Sequence, residues 1–228
     1  MNTRTVLGSL LRRYRPVFLW TSATLLVGVG IGDAVLGTVA DPAFSLWMFV
    51  AGSAVKYWLG VLGVMLVVSH LRHFAAAGVT RRALIVGGSV FGVLVCLGVG
   101  VLVPLGHGLE NAAVGAVSAG YPAWSPAVAL SEFGHLVPTC LAFFVSGAAA
   151  AAGFYRFGAG GGLLVVLPAV LPGIVSEELL GLGGSGEVLT RDLPYAAAVV
   201  VSLAVTGLGG LLYQRQMRDV AVRRAVSR

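Results

Sequence analysis

Apolar residues run along this chain in six long blocks, separated by polar or glycine- and proline-rich breaks. The blocks fall at about 17–38, 51–70, 84–105, 130–154, 159–176 and 194–213. Each approaches the roughly 20 residues needed to cross a bilayer. Without water to serve their amides, such segments must be helices or strands of a closed barrel. Barrel strands alternate apolar and polar residues over short segments, whereas these blocks are continuously apolar. The pattern therefore predicts an all-α integral membrane protein with about six transmembrane helices.

The first residues follow another rhythm. Val6, Leu7, Leu10, Leu11 and Tyr14 recur at helical spacing, with Arg4, Arg12, Arg13 and Arg15 around them. That predicts an amphipathic helix lying on the membrane surface, ended or bent by Pro16. The expected organisation is an interfacial helix at 1–16, a six-helix domain at 17–213 and a basic tail at 214–228. Thr38-Val39-Ala40 could suggest a cleavage site. The apolar stretch before it is too long for a signal peptide and follows a long basic stretch, so the segment is expected to be retained.

Residues 44–70 are too long for one crossing. Counting back about 20 residues from His70 puts the outer end near Ala51. Residues 43–50 should then lie at the outer surface, and Lys56, beside Tyr57 and Trp58, should snorkel into an aromatic belt. Pro104 is expected to end the third block and leave 106–129 as a loop carrying Tyr121 and Trp124. Pro168 and Pro172 fall inside the fifth block.

Composition sharpens this picture. Only 11% of residues are charged, against about 25% in a soluble domain, and the mean hydropathy is +0.93. The 33 glycines suit helices that pack closely, for example at Gly28/Gly32, Gly88/Gly92 and the alanine-glycine run 147–153. Cys96 and Cys140 fall inside apolar blocks and are expected to be small buried hydrophobes. No internal repeat stands out.

A net charge of +6 could suggest nucleic acid, but the position of the charge argues for topology and no nucleic-acid partner. Thirteen of the 15 Lys/Arg residues precede block one, separate blocks two and three or four and five, or follow block six. Lys56 and Arg191 are the exceptions. Asp33, Asp41, Glu110, Glu177, Glu178, Glu187 and Asp192 fall at the opposite ends of the blocks. Positive charge marks the cytoplasmic side, so a cell-membrane protein with both termini in the cytoplasm is expected.

Candidate chemistry is sparse. A Walker A loop needs Gly-Lys-Ser/Thr, and the only lysine is Lys56, preceded by Val55. Any ATP hydrolysis would therefore belong to a partner, and no cofactor is expected on this chain. Glu177-Glu178 is similar to the paired glutamates of intramembrane CAAX-type proteases. Those carry an arginine four residues later, where this chain has Leu182, so solvated loop charges are expected instead and catalysis is not. Glu132 and His135 share one helix face. Ionisable residues inside spans are functional candidates, and these two mark either a possible substrate path or an interfacial pair satisfying itself. His70, His73 and His107 lie elsewhere in the sequence, so no metal site is expected.

The most informative stretch is His70-Leu71-Arg72-His73-Phe74-Ala75-Ala76-Ala77-Gly78-Val79-Thr80-Arg81-Arg82. Gly78 can take the left-handed conformation that stops a helix, and Thr80 can cap the next one. The reading is a short helix, a sharp turn and the start of the third block; the plainer alternative is a positively charged loop.

This stretch resembles ABC-2-type (type V) transporter permeases. They often carry an arginine, then Gly-x-Ser/Thr-Arg-Arg, then another glycine, matched here by Arg72, Gly78-Val79-Thr80-Arg81-Arg82 and Gly87. The layout also agrees, including the Tyr155-Arg156-Phe157-Gly158 turn and a polar outer loop at 177–193. The resemblance implies a permease subunit that pairs with a separate cytoplasmic ABC ATPase, which binds the ATP. It further implies a homodimer or a related second permease, and export of an amphipathic or hydrophobic compound. Arg72, Phe74, Gly78, Thr80, Arg81 and Arg82 would then form the ATPase-coupling loop, with the arginines facing acidic groups or membrane lipid. A non-transporting sensor, immunity or assembly factor is the alternative.

Overall fold

A computed structural model describes residues 3–39, 44–114, 121, 123–182 and 193–218. The described chain is almost wholly helical. Helix α1 spans Thr3–Val39, α2 Ser53–Val68, α3 His70–Ala76, α4 Arg81–Val114, α5 Pro126–Leu180 and α6 Tyr195–Arg218. A π-helical turn, Met48–Gly52, runs directly into α2. Five helices are long and apolar enough to cross a membrane, which supports an all-α membrane protein.

Helix α5 contains two of the expected blocks. Its course breaks at Gly158, whose φ of 72° lies in a region that side chains with a Cβ avoid. Beyond it the chain folds back on itself. Gly162 meets Phe154, Gly153 meets Val165, and the Gly173 amide donates to Ser146 Oγ at 3.1 Å. Arms 126–157 and 159–180 are therefore antiparallel, reversing at the expected Tyr155–Gly158 turn.

Two expectations about boundaries are corrected. Pro16 lies inside a continuous α1 and does not end a helix there, so residues 3–16 run on into the first apolar block. Their apolar face packs on the protein: Val6 and Leu10 are fully buried, Val6 sits against Gly87 of α4, and Tyr14 meets Phe91 and His70. Leu11 stays exposed, as do Arg4, Arg12, Arg13 and Arg15. Pro104 likewise lies inside α4, which continues for another ten residues to Val114. A helical proline removes one amide donor, here the one that would serve Gly100. Nearby, the Trp47 and Trp124 indoles donate to the carbonyls of Val103 and Pro104 at 2.8 and 3.0 Å. Residues 44–50 are a partly buried segment, with Ser45, Trp47 and Met48 packed inside and Phe44 and Phe49 exposed. Most of the expected outer loop, 183–192, and of the basic tail, 219–228, lies outside the described residues.

The core is built around α2. Its backbone touches the first arm of α5, where a Cβ on Gly147 would run into the Gly60 carbonyl and one on Gly63 into the Phe144 carbonyl. Small residues let backbones approach this closely. Of the expected small-residue pairs, Gly88 and Gly92 accept Leu66 and the Phe144 ring, whereas Gly28 has nothing within 4 Å. Cys96 and Cys140 are free and buried, as expected.

The α2–α5 contact can be checked by substitution. Gly147→Ala should lower stability in detergent by about 1–3 kcal/mol, the usual cost of overpacking. Gly98→Ala meets nothing within 4 Å and should leave stability level or slightly higher, since alanine favours helix. Equal thermal unfolding of the two variants would show that the backbones are not in contact.

Candidate functional site

Ionisable groups gather at the end of the bundle away from the Arg81–Arg82 turn. Because α4 runs past Pro104, His107 and Glu110 stand one turn apart on its buried face instead of in a loop. His107 Nδ1 and Glu132 Oε1 of α5 share a hydrogen bond of 2.6 Å, with both side chains almost fully buried. Glu110 accepts from the Ser45 hydroxyl and from the Trp47 amide, the latter at 2.9 Å. Ser45 in turn accepts the Met48 amide at 3.0 Å. A carboxylate and a serine thus satisfy the first amides of the helical run into α2, the usual need of a helix start. Asp33 of α1 stands beside Glu110, and the Tyr121 ring lies 6.4 Å from that of His107. Burial pushes the Tyr121 phenol above its ordinary value.

A second pair joins α2 to the end of α5. Lys56 donates to Glu177 Oε1, with the lysine 11% and the glutamate 30% exposed at their side chains. This corrects two expectations: Lys56 does not snorkel outward, and Glu177 is not a solvated loop charge. Only Glu178 of that pair is exposed. In a low-dielectric setting, an unpaired charge costs several kcal/mol, so these partners hold each other in place.

Glu132 and His135 are both buried on α5, yet they do not form the expected pair. Glu132 turns to His107. His135 bonds back to the Ser131 carbonyl through Nδ1 at 2.7 Å and packs its ring 4.9 Å from that of Tyr195. The space lined by His135, Thr139, Lys56 and Glu177 is only about 10 Å³, roughly the size of one water. Among the described residues, no group of three or more His, Cys, Asp or Glu side chains could hold a metal ion.

At the other end, the turn expected from sequence is present. Gly78 has φ 70°, and the Val79 amide returns to the Phe74 carbonyl at 2.9 Å, closing α3 in a Schellman-type stop. Thr80 Oγ1 accepts the Ala83 amide at 3.3 Å at the start of α4. Phe74 requires a correction. It is buried in the core, its ring stacked 6.0 Å from His70, so it anchors the turn instead of facing a partner. Gly78, Thr80, Arg81 and Arg82 are exposed; the Arg72 side chain lies outside the described residues. Arg81 Nη1 donates to the Arg218 carbonyl at 2.6 Å, and Arg156 Nη1 to the Arg215 carbonyl at 3.3 Å. Two arginines from different connections therefore satisfy the C-terminal carbonyls of α6, where positive charge complements the helix dipole.

No family model, curated protein or solved structure matches this chain, so the site's own geometry carries the functional argument.

Two outcomes follow from the buried polar groups. Lys56→Met should strand Glu177 and lower stability by about 3 kcal/mol, near the low end for a buried pair because Glu177 keeps some exposure. Lys56→Met with Glu177→Leu should recover most of that loss in thermal unfolding. If the double variant were no more stable than the single one, the pairing would be wrong. The second outcome concerns His70, which bonds the Met65 carbonyl through Nδ1 at 3.2 Å and leaves Nε2 buried without a described partner. Burial first, then the nearby Arg13 and His73, hold its imidazole below the ordinary value of 6.5. The folded state resists its protonation, so this contribution to stability is complete above about pH 6.5 and is lost as pH falls below it, by at most about 1.4 kcal/mol per pH unit. His70→Phe keeps a ring between Tyr14 and Phe74. It should flatten the decline in melting temperature between pH 7.5 and 5.

Proposed function

We propose that this chain is the membrane-spanning permease subunit of an ABC exporter. It crosses the membrane six times with both termini in the cytoplasm, and it pairs with a separate cytoplasmic ATPase and with a second permease, either another copy or a related subunit. Its cargo is an amphipathic or hydrophobic compound moved outward. ATP is bound and hydrolysed on the partner, and this chain is not itself an enzyme.

The observation that carries the reading is the rigid turn between α2 and α4. A loop that relays motion from a soluble motor must move as a body. Here a seven-residue helix is stopped at Gly78, restarted at Thr80 and pinned underneath by Phe74. Its exposed rim is Gly78, Thr80, Arg81 and Arg82, and Arg81 also holds the end of α6. Displacing the turn would therefore pull on α4 and α6 together. The clustering of arginine at this end supports the cytoplasmic assignment. A non-transporting role as a sensor, immunity or assembly factor is the second reading; it is favoured by the buried His107–Glu132 and Lys56–Glu177 contacts, which tie α4 and α2 to α5. In the transport reading, the path lies between the two permeases.

Purification of the tagged chain in mild detergent should bring down a nucleotide-binding chain. Gly78→Val, strained at positive φ by about 1–3 kcal/mol, should insert normally yet lose that chain. Reporter fusions at Arg228 and Gly184 should lie on opposite sides of the membrane. Recovery of the ATPase equally with wild type and Gly78→Val would refute the coupling role, and no ATPase at all would favour the sensor reading.

A further inference from the structure

The geometry points to a binding site for an anionic phospholipid in the groove between α4, the first arm of α5 and α6, with its phosphate held by arginines at the mouth. This rests on the groove itself and not on the transport reading.

The groove has a volume of about 510 Å³ and is open along one side. Its walls are chiefly apolar, from Val86 and Val93 of α4, Phe144 of α5, and Leu203 and Leu211 of α6. Gly207 and Gly210 form part of the α6 wall, and a Cβ on either would meet nothing within 4 Å. They leave room that a chain of methylenes can fill. The lining becomes more polar toward the Arg81–Arg82 turn, with Ser89 and Gln214.

Helical spacing then places cations at that end. Arg82 precedes Val86 by four residues, Arg215 follows Leu211 by four, and Arg218 follows Gln214 by four, so each continues a stripe that lines the groove. All three are exposed. Arg82 makes no hydrogen bond or ion pair among the described residues. The ends of α4 and α6 are brought together by the bond from Arg81 to the Arg218 carbonyl, which keeps the three guanidinium groups in one neighbourhood. Guanidinium binds phosphate with two parallel hydrogen bonds, and basic pockets between helices at a membrane face suit anionic headgroups. An apolar groove that opens toward exposed arginines matches a lipid with a negative head better than a neutral one.

Charge also decides against the other occupant of such a groove. A second copy docked here about a two-fold axis would bring its own Arg82, Arg215 and Arg218 against these three. Like charges would then face each other at the edge of a low-dielectric interface. A phosphate reverses the sign of that contact.

The test is native mass spectrometry on the full chain in detergent, titrated with phosphatidylglycerol or phosphatidylcholine, with thermal unfolding of each variant as a fold control. Phosphatidylglycerol should be retained and should raise the unfolding temperature, and phosphatidylcholine should do neither. Arg82→Gln and Arg215→Gln should each weaken phosphatidylglycerol binding about 5-fold, and about 30-fold together. Gly210→Leu should fill the groove and displace the lipid without altering unfolding in lipid-free detergent. If that variant misfolds, the arginine pair alone decides. Equal retention of the two lipids, or no change in the arginine variants, overturns the proposal. A dimer that Gly210→Leu converts to monomer, with no lipid bound, overturns it in favour of a second copy.

Discussion

The backbones of α2 and α5 meet at Gly60 and Gly147, and that contact determines where the rest of the bundle can stand. A Cβ on Gly147 would run into the Gly60 carbonyl and one on Gly63 into the Phe144 carbonyl, so neither Gly147 nor Gly63 can carry a side chain without moving a helix. With the two axes this close, Lys56, one turn from Gly60, reaches the second arm of α5 at Glu177. The second arm is fixed in turn by Ser146, which accepts the Gly173 amide from the adjacent turn of the first. Helix α6 docks on the same arm through the Ser176–Ser202 hydroxyl pair at 2.6 Å and the packing of Gly209 on Pro172. One close approach thus positions three elements. It is made by dispersion and shape, the forces available to helices that gain nothing by hiding from lipid.

The polar groups divide the bundle into two unlike ends. One end is stitched by the buried His107–Glu132 and Ser45–Glu110 contacts and by Lys56 on Glu177. The other is stitched by arginines reaching for helix carbonyls. The first arrangement resists opening, because each member would be left charged or unbonded in an apolar interior. The second rests on exposed groups whose interactions are weaker and screened by salt. Stiffness is therefore concentrated at the acidic end, and the arginine end is the easier one to move.

Much of the fold was legible from block length, because apolar runs of membrane-crossing size admit few alternatives. The turns were legible too, since Gly78 and Gly158 are local requirements: a helix stop or reversal at positive φ is written in one residue. Pro104 and Pro16 misled because the cost of a proline is local, while the helices that override it are held by contacts made elsewhere. Trp47 packs against α4 from 56 residues away. The candidate site was less legible for the same reason. Lys56 and Glu177 are 121 residues apart and His107 and Glu132 are 25 apart. Each looks like an ordinary interfacial or loop residue beside its own neighbours. A signal existed in the single buried lysine, which had to find a carboxylate, but nothing local said which. Phe74 lies in an otherwise basic loop, where nothing local separates it from the exposed coupling residues. The seven residues of α3 place it on the face that meets His70 and the core.

The reversal at Gly158 bears on how the chain is made. A link of one residue leaves no stretch in which the arms of α5 could occupy the membrane apart. The first arm, 126–157, carries Glu132 and the second carries Glu177, whose partners His107 and Lys56 stand on α4 and α2, so the hairpin needs those earlier helices beside it. Entering as one hairpin, the two arms cover each other's glycine-lined faces at once, and their amides are already bonded within each helix. An insertion that lengthened the Gly158 link would uncouple the arms during synthesis even if the finished bundle could accommodate it.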